Sequence, residues 1–199
     1  MKVLAEEQKK RFEMLDAWFS SDHGLRVGQA IREEIADMRG LLSGQNLIQL
    51  GSCGRNLWLS ELPYHNKWII KPHWDPSRIS HCNSLLTHLP IDQESVDCVI
   101  APLTIDAFKN KESILDEMDR VLKPMGYLVI IGVNPYSLWG FWLRFSQYSC
   151  FGNLHGFPRS MLSLKCMIQH CGYQQCFAKD FYFIPPAQSN TVIRSFSFL

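Results

Sequence analysis

Two stretches decide the fold: Leu89-Pro-Ile-Asp-Gln-Glu-Ser-Val-Asp-Cys-Val-Ile100, and Ile114-Leu-Asp-Glu-Met-Asp-Arg-Val-Leu-Lys-Pro-Met-Gly-Tyr-Leu-Val-Ile-Ile-Gly-Val-Asn-Pro135. In the first, Val96 to Ala101 is a short, nearly continuous apolar run. That pattern suits a strand covered on both faces of a parallel sheet. In the second, Ile114, Leu115, Met118, Val121 and Leu122 fall on one helical stripe, with Asn110 as N-cap and Glu112 in the first turn. Lys123-Pro-Met-Gly126 then closes the helix and turns the chain into another apolar strand, Tyr127 to Ile131.

Working outward, the same alternation recurs. Phe12, Leu15 and Phe19 share one face of a first helix, and Val27, Ile31, Ile35, Met38 and Leu42 share one face of a second. Ser20 to Gly24 reads as the break between them. Leu47 to Leu50 is a strand running into the glycine turn Gly51-Ser-Cys-Gly54, and Trp68 to Ile70 is another strand, ended by Lys71-Pro72. Pro158 opens a later helix with Met161, Leu164, Ile168 and Cys171 on one side and Gly172 past its end. Tyr173 to Phe183 reads as the last strand. Strands alternating with helices predict an open α/β sheet. The expected organisation is one domain over 1–199, with N-terminal helices in 1–45 and the strand-helix core in 46–199.

Composition narrows the partners. The chain has 199 residues, 46% hydrophobic, and a formal net charge of +1 from 20 Lys+Arg against 19 Asp+Glu. Bulk charge therefore gives no signal for nucleic acid or an anionic membrane surface. No apolar run approaches the roughly 18 residues that span a bilayer. The seven cysteines include Cys166, Cys171 and Cys176, spaced unlike any zinc or redox pair. They read as reduced thiols, mostly buried, in a cytoplasmic protein.

The two quoted stretches resemble the type-11 class I S-adenosylmethionine methyltransferases. That family reads leucine-proline, an acidic turn, a strand, then a helix ending arginine-valine-leucine-lysine-proline-glycine-glycine. Asn134-Pro-Tyr-Ser-Leu-Trp-Gly140 is similar to a small bacterial subgroup of methyltransferase-like proteins. The resemblance implies a Rossmann-like fold: a mainly parallel central sheet with helices on both faces and the N-terminal helices over the cofactor edge. It also implies that S-adenosylmethionine lies across Gly51, Ser52, Cys53 and Gly54, then Asp75, Ser84 and Leu85, and finally Ala101 and Pro102. Transfer from that cofactor is chiefly a matter of in-line positioning. The resemblance names no base and no methyl acceptor; Asn134 and Tyr136 are the residues well placed by it.

The chain departs from the family's pattern at four points. Gln49 stands where the first motif has an acid, before a loop with two glycines instead of three. Lys71 stands where an acid ends the second strand and accepts from the ribose hydroxyls; Lys can only donate, and Asp75 is the nearest acid. Leu85 stands where an aspartate receives the adenine amino group, with Ser84 or Asn83 as substitutes. The family's final antiparallel strand has no counterpart, so Tyr173–Phe183 is expected to leave an open edge that favours self-association. The resulting expectation is weak or absent cofactor binding. A catalytically inactive binding or scaffold protein is the alternative to a methyltransferase.

Other clusters read more plainly. Asp106, Glu117, Asp119 and Arg120 fit a solvated helix face, and His65, His73, His81 and His88 fit surface or packing roles without metal spacing. Leu138 to Phe145 is an aromatic helix expected to lid the pocket and bury its rings against the sheet. Ser52 and Cys53, lacking a G-x-S-x-G elbow, read as structural turn residues.

Overall fold

The structure, a computed structural model, describes residues 2–72, 82–109, 111–145 and 156–183. Two helices come first, α1 (Lys2–Phe19) and α2 (Asp22–Asp37). Five strands follow: β1 (Gly44–Leu50), β2 (Tyr64–Lys71), β3 (Cys82–Asn83), β4 (Val96–Pro102) and β5 (Leu122–Ile131). Between β4 and β5 runs α3 (Glu112–Val121), and α4 (Leu138–Phe145) and α5 (Met161–His170) complete the order. No helix among the described residues is long and apolar enough to cross a membrane.

The sheet order is β3-β2-β1-β4-β5, and every pairing is parallel. Successive strand residues point to opposite faces, and Leu47, Ile48, Gln49 and Leu50 are all buried. Both faces of the central strand are therefore covered, as its largely apolar run predicts. The chain leaves β1 for β2 and β3 on one side, then returns to place β4 on the other. Such a switch point opens a crevice beyond the carboxyl ends of the strands, where doubly wound sheets bind ligands.

Several local expectations are corrected. The break between the first helices is only Ser20-Ser21. Ser21 caps α2, its Oγ accepting from the Gly24 N–H at 3.2 Å. Gly24 lies inside α2, where a Cβ would stand 2.1 Å from the carbonyl oxygen of Trp18, so glycine allows the two helices to meet. β5 starts at Leu122 directly after α3, but Lys123-Pro-Met-Gly126 does loop out ahead of the regular ladder: Leu122 pairs with Val96 and Tyr127 with Cys98, with Met125 at φ +65 between them. Asn110, the expected cap of α3, lies outside the described residues. Helix α5 opens at Ser160, whose Oγ accepts from the Ser163 N–H at 3.3 Å, and Pro158 precedes it.

Tyr173–Phe183 is not a strand. Tyr182 sits at φ +58, in the left-handed region that interrupts an extended ladder. The segment is held by side chains instead, with the Lys179 ammonium 2.8 Å from the Glu34 carboxylate on α2. Among the described residues β5, not Tyr173–Phe183, is the edge strand. Beside it lies a cleft of about 840 Å³ lined by Met38, Leu128, Ile130, Met161, Ile168 and Phe181, among others.

Candidate functional site

At the end of β1 the chain turns through Gly51 at φ +87 and Gly54 at φ +58. Both glycines are required by α1. A Cβ on Gly51 would stand 2.4 Å from Phe12 Cε1, and one on Gly54 would stand 2.9 Å from the Phe19 carbonyl oxygen. The Gly54 N–H and the Ser52 hydroxyl both donate to the Asp16 carboxylate, at 2.7 and 3.0 Å. Gln49, in the family's acid position, is buried and fully used. Its Nε2 donates to the Gly51 carbonyl and to Asn56 Oδ1, while its Oε1 accepts from Trp58 Nε1 at 2.8 Å. A carboxylate there could not donate the first two bonds, which is a local reason for glutamine.

At the end of β2, Lys71 is 1% exposed and its Nζ has no hydrogen-bond partner among the described residues. Its carbonyl accepts from the Ser84 N–H at 2.9 Å, which carries the β2–β3 ladder one step on. The Ser84 hydroxyl donates to the His88 carbonyl at 2.6 Å, and the Leu85 carbonyl accepts from the His88 N–H at 3.0 Å. Ser84 is thus committed to the turn. One residue further, the Leu86 N–H donates to Gln8 Oε1 of α1 at 3.2 Å, and Gln8 Nε2, also buried, has no partner. Asp75, His73 and His81 lie outside the described residues.

At the end of β4, Ala101 and Pro102 are buried, and the Cys53 thiol lies 3.8 Å from the Pro102 carbonyl oxygen. Thr104 Oγ1 donates to the Leu50 carbonyl at 2.7 Å, which ties β4 to the glycine loop. Asp106 follows, buried at 4% exposure. Its Oδ2 accepts from the Val133 N–H at 2.8 Å, and its Oδ1 is 4.0 Å from Lys111 Nζ. Burial pushes the Asp106 carboxyl up to about 6 and the Lys111 ammonium down to about 8. A Cβ at Gly132 would stand 3.2 Å from Asp106 Oδ2, so the glycine leaves room for the carboxyl group.

One helix face joins these loops. Gln8, Phe12 and Asp16 recur every four residues on α1 and contact the 84–86 turn, Gly51 and Gly54 respectively. Eight residues of helix rise about 12 Å, while two strand spacings from β1 to β3 cover about 9.6 Å. Helix α1 therefore has the length to run over the carboxyl ends of β1, β2 and β3. Gly51–Gly54, Ser84, Leu85, Ala101 and Pro102 lie at or just past the carboxyl ends of β1, β3 and β4. That reading singles out neither Asp16 nor Gln8. Their signal was two polar residues eight apart, on either side of Phe12 on an apolar face.

The charged cluster behaves differently from a solvated face. Asp106 is buried on a short turn after β4, away from α3. Glu117 accepts from the Leu89 N–H at 2.6 Å and pairs with Arg120, which donates to the Leu89 and Ile91 carbonyls at 3.0 and 2.9 Å. Together they clamp the Leu-Pro turn. The aromatic helix α4 is also reassigned: Trp139 meets Trp18 of α1 edge to face at 5.8 Å, while Leu138 and Phe141 are exposed. Asn134 Oδ1 accepts from the Tyr136 N–H at 3.0 Å, and the Tyr136 side chain is exposed. Among the described residues no three His, Cys, Asp or Glu side chains converge on a metal site.

Measured against S-adenosylmethionine, this donor set does not fit in the way the resemblance implies. Lys71 Nζ cannot accept from a ribose hydroxyl, and the Gly54 N–H already serves the Asp16 carboxylate.

Comparison with known proteins places the fold. The family model for the methyltransferase domain matches residues 59–130. No curated protein matches the chain. A SAM-dependent methyltransferase from Thermotoga maritima superposes with a TM-score of 0.58 at 20% identity, covering 71% of this chain and 70% of its own. A SAM-dependent methyltransferase from Aquifex aeolicus gives 0.53 at 16% identity, covering 77% and 84%. The YcgJ protein of Bacillus subtilis gives 0.52 at 12%, covering 70% and 66%. With that matched stretch built into an all-parallel β3-β2-β1-β4-β5 sheet, the chain has the Rossmann-like fold of these methyltransferase structures.

Proposed function

We propose that the chain is an S-adenosylmethionine-dependent methyltransferase with a modified cofactor edge, whose methyl acceptor the site does not name. The observation that supports this reading is Asp106. Its carboxyl group lies at the carboxyl ends of β4 and β5, hydrogen-bonded to the Val133 N–H and pushed up to about 6 by burial. A carboxyl group that titrates near neutrality beside the switch point can take a proton from an acceptor nucleophile. The free cysteines among the described residues agree with a reducing, cytoplasmic setting.

A second reading, a catalytically inactive methyltransferase-like binding protein, is favoured by a different observation. The Asp16 carboxylate holds the Gly54 N–H and Lys71 is buried, at positions where the resemblance implies that a cofactor is received.

Calorimetric titration with S-adenosylmethionine and S-adenosylhomocysteine separates the two. The enzyme reading expects weak, saturable binding that tightens when acceptors are restored in Lys71→Asp with Leu85→Asp. An absence of binding in both proteins would favour the inactive reading.

A further inference from the structure

We propose that the carboxyl end of β2 is a phosphate-accepting subsite, so that this edge takes a nucleotide phosphorylated on its ribose in preference to a nucleoside with two free ribose hydroxyls. The inference shares with the methyltransferase reading only the placing of a nucleoside ligand at this edge.

Two buried donors without partners carry it. Lys71 Nζ and Gln8 Nε2 both belong to residues 1% exposed, and neither has a hydrogen-bond partner among the described residues. They flank the same short segment. Lys71 is tied to Ser84 through its carbonyl, and Gln8 to Leu86 through its Oε1. A buried ammonium without an acceptor is a costly feature, and a second buried donor without one, on a residue bonded to the same 84–86 segment, adds to the cost. Both groups are deficient in the same sense, because each lacks an acceptor. A ribose hydroxyl offers one oxygen and no charge. A phosphate monoester offers several acceptor oxygens and a charge opposite to that of Lys71, and charge-assisted bonds of this kind are the strong ones.

The position agrees with the chemistry. In doubly wound sheets the residue that reads the ribose decides between hydroxyl and phosphate. An acid there accepts from the hydroxyl, whereas a basic side chain accommodates a phosphate. Lys71 closes β2 with a basic side chain, and the Phe12 ring and Asp16 hold α1 over the neighbouring loop.

The test is calorimetric titration of the intact chain with adenosine, adenosine 2′-phosphate, adenosine 3′-phosphate, inorganic phosphate and S-adenosylhomocysteine. One of the two ribose phosphates is expected to bind at least about tenfold tighter than adenosine, the effect of a single charge-assisted hydrogen bond. Lys71→Met should abolish that preference, so that the ribose phosphate binds no tighter than adenosine, and Gln8→Glu should abolish it by repulsion. If Lys71→Met fails to fold, Lys71→Arg should fold and keep the preference. Equal affinity for adenosine and both phosphates, phosphate preference surviving in Lys71→Met, or no binding by any nucleotide would each overturn the proposal. S-adenosylhomocysteine binding without phosphate preference overturns it and leaves the methyltransferase reading standing. Phosphate preference without S-adenosylhomocysteine binding does the reverse.

Discussion

The carboxylate of Asp16, near the end of α1, accepts the backbone N–H of Gly54 at 2.7 Å and the Ser52 hydroxyl at 3.0 Å. An N-terminal helix thereby supplies an internal anion to the glycine loop of the first strand, at a place where backbone N–H groups commonly receive a ligand's negative charge. Asp16→Ala leaves two buried donors without this acceptor and is expected to cost about 2–3 kcal/mol. Asp16→Asn keeps one acceptor oxygen and should cost less. Urea denaturation of the two variants checks the order.

Gly51 and Gly172 have nearly the same backbone, at φ +87 and +86, but different surroundings. A Cβ on Gly51 meets Phe12 at 2.4 Å, and one on Gly172 meets nothing within 4 Å. Gly172→Ala should therefore cost only the left-handed penalty, about 1–2 kcal/mol. Gly51→Ala should exceed it by about 1–3 kcal/mol, the usual range for overpacking. Equal losses in thermal unfolding would mean that Phe12 does not press on the loop.

Asp106 makes stability depend on pH in a definite direction. Burial raises its carboxyl from 3.8 to about 6 in the folded protein. Between those values the folded chain holds a proton that the unfolded chain has lost, so this group's contribution falls as pH rises from about 4 to about 6. The change is bounded at about 3 kcal/mol. Asp106→Asn removes this contribution. The stability difference between variant and wild type, measured by denaturant titration across pH 4–7, should grow in favour of the variant as pH rises. Lys111, lowered from 10.5 to about 8 by burial, has the opposite trend at higher pH, gaining stability as pH rises from about 8.

Arg120 and Glu117 hold the Leu89–Pro90 turn from α3 through bonds to the Leu89 and Ile91 backbone. The pair is partly exposed, so the ionic part is modest. Arg120→Ala should cost about 1 kcal/mol and speed amide exchange at Leu89, whose N–H donates to Glu117. Unchanged exchange there would show that the turn holds itself.

The elements legible in the sequence are those with one physical requirement. Val96–Ala101 and Leu47–Leu50 read as buried strands because all but Asp97 and Gln49 are apolar, and they pair as β4 and β1. The stripe from Ile114 to Val121 read as a helix because one face had to be apolar, and those residues are its buried ones. Tyr173–Phe183 misled because an aromatic-rich run satisfies a strand and an irregular covering segment equally well. The strand depends on pairing that composition does not encode, and the left-handed Tyr182 breaks it. The site was legible as a list of loops at one sheet edge. Asp16 and Gln8 were not, since a polar residue on a helix declares its partner only when the helix is placed. Asp106 was grouped with α3 by nearness in sequence, whereas the turn after β4 buries it against Val133.

The central claim is that this edge is a nucleoside site altered at its ribose and adenine positions. It is tested most directly by calorimetric titration of S-adenosylhomocysteine into the wild-type chain and into Lys71→Asp with Leu85→Asp. Each restored acceptor is worth about 1.5–3 kcal/mol when charge-assisted, so the account predicts weak binding to wild type and binding at least about tenfold tighter to the double variant. Tight binding to wild type that restoration leaves unchanged or weakens would contradict it.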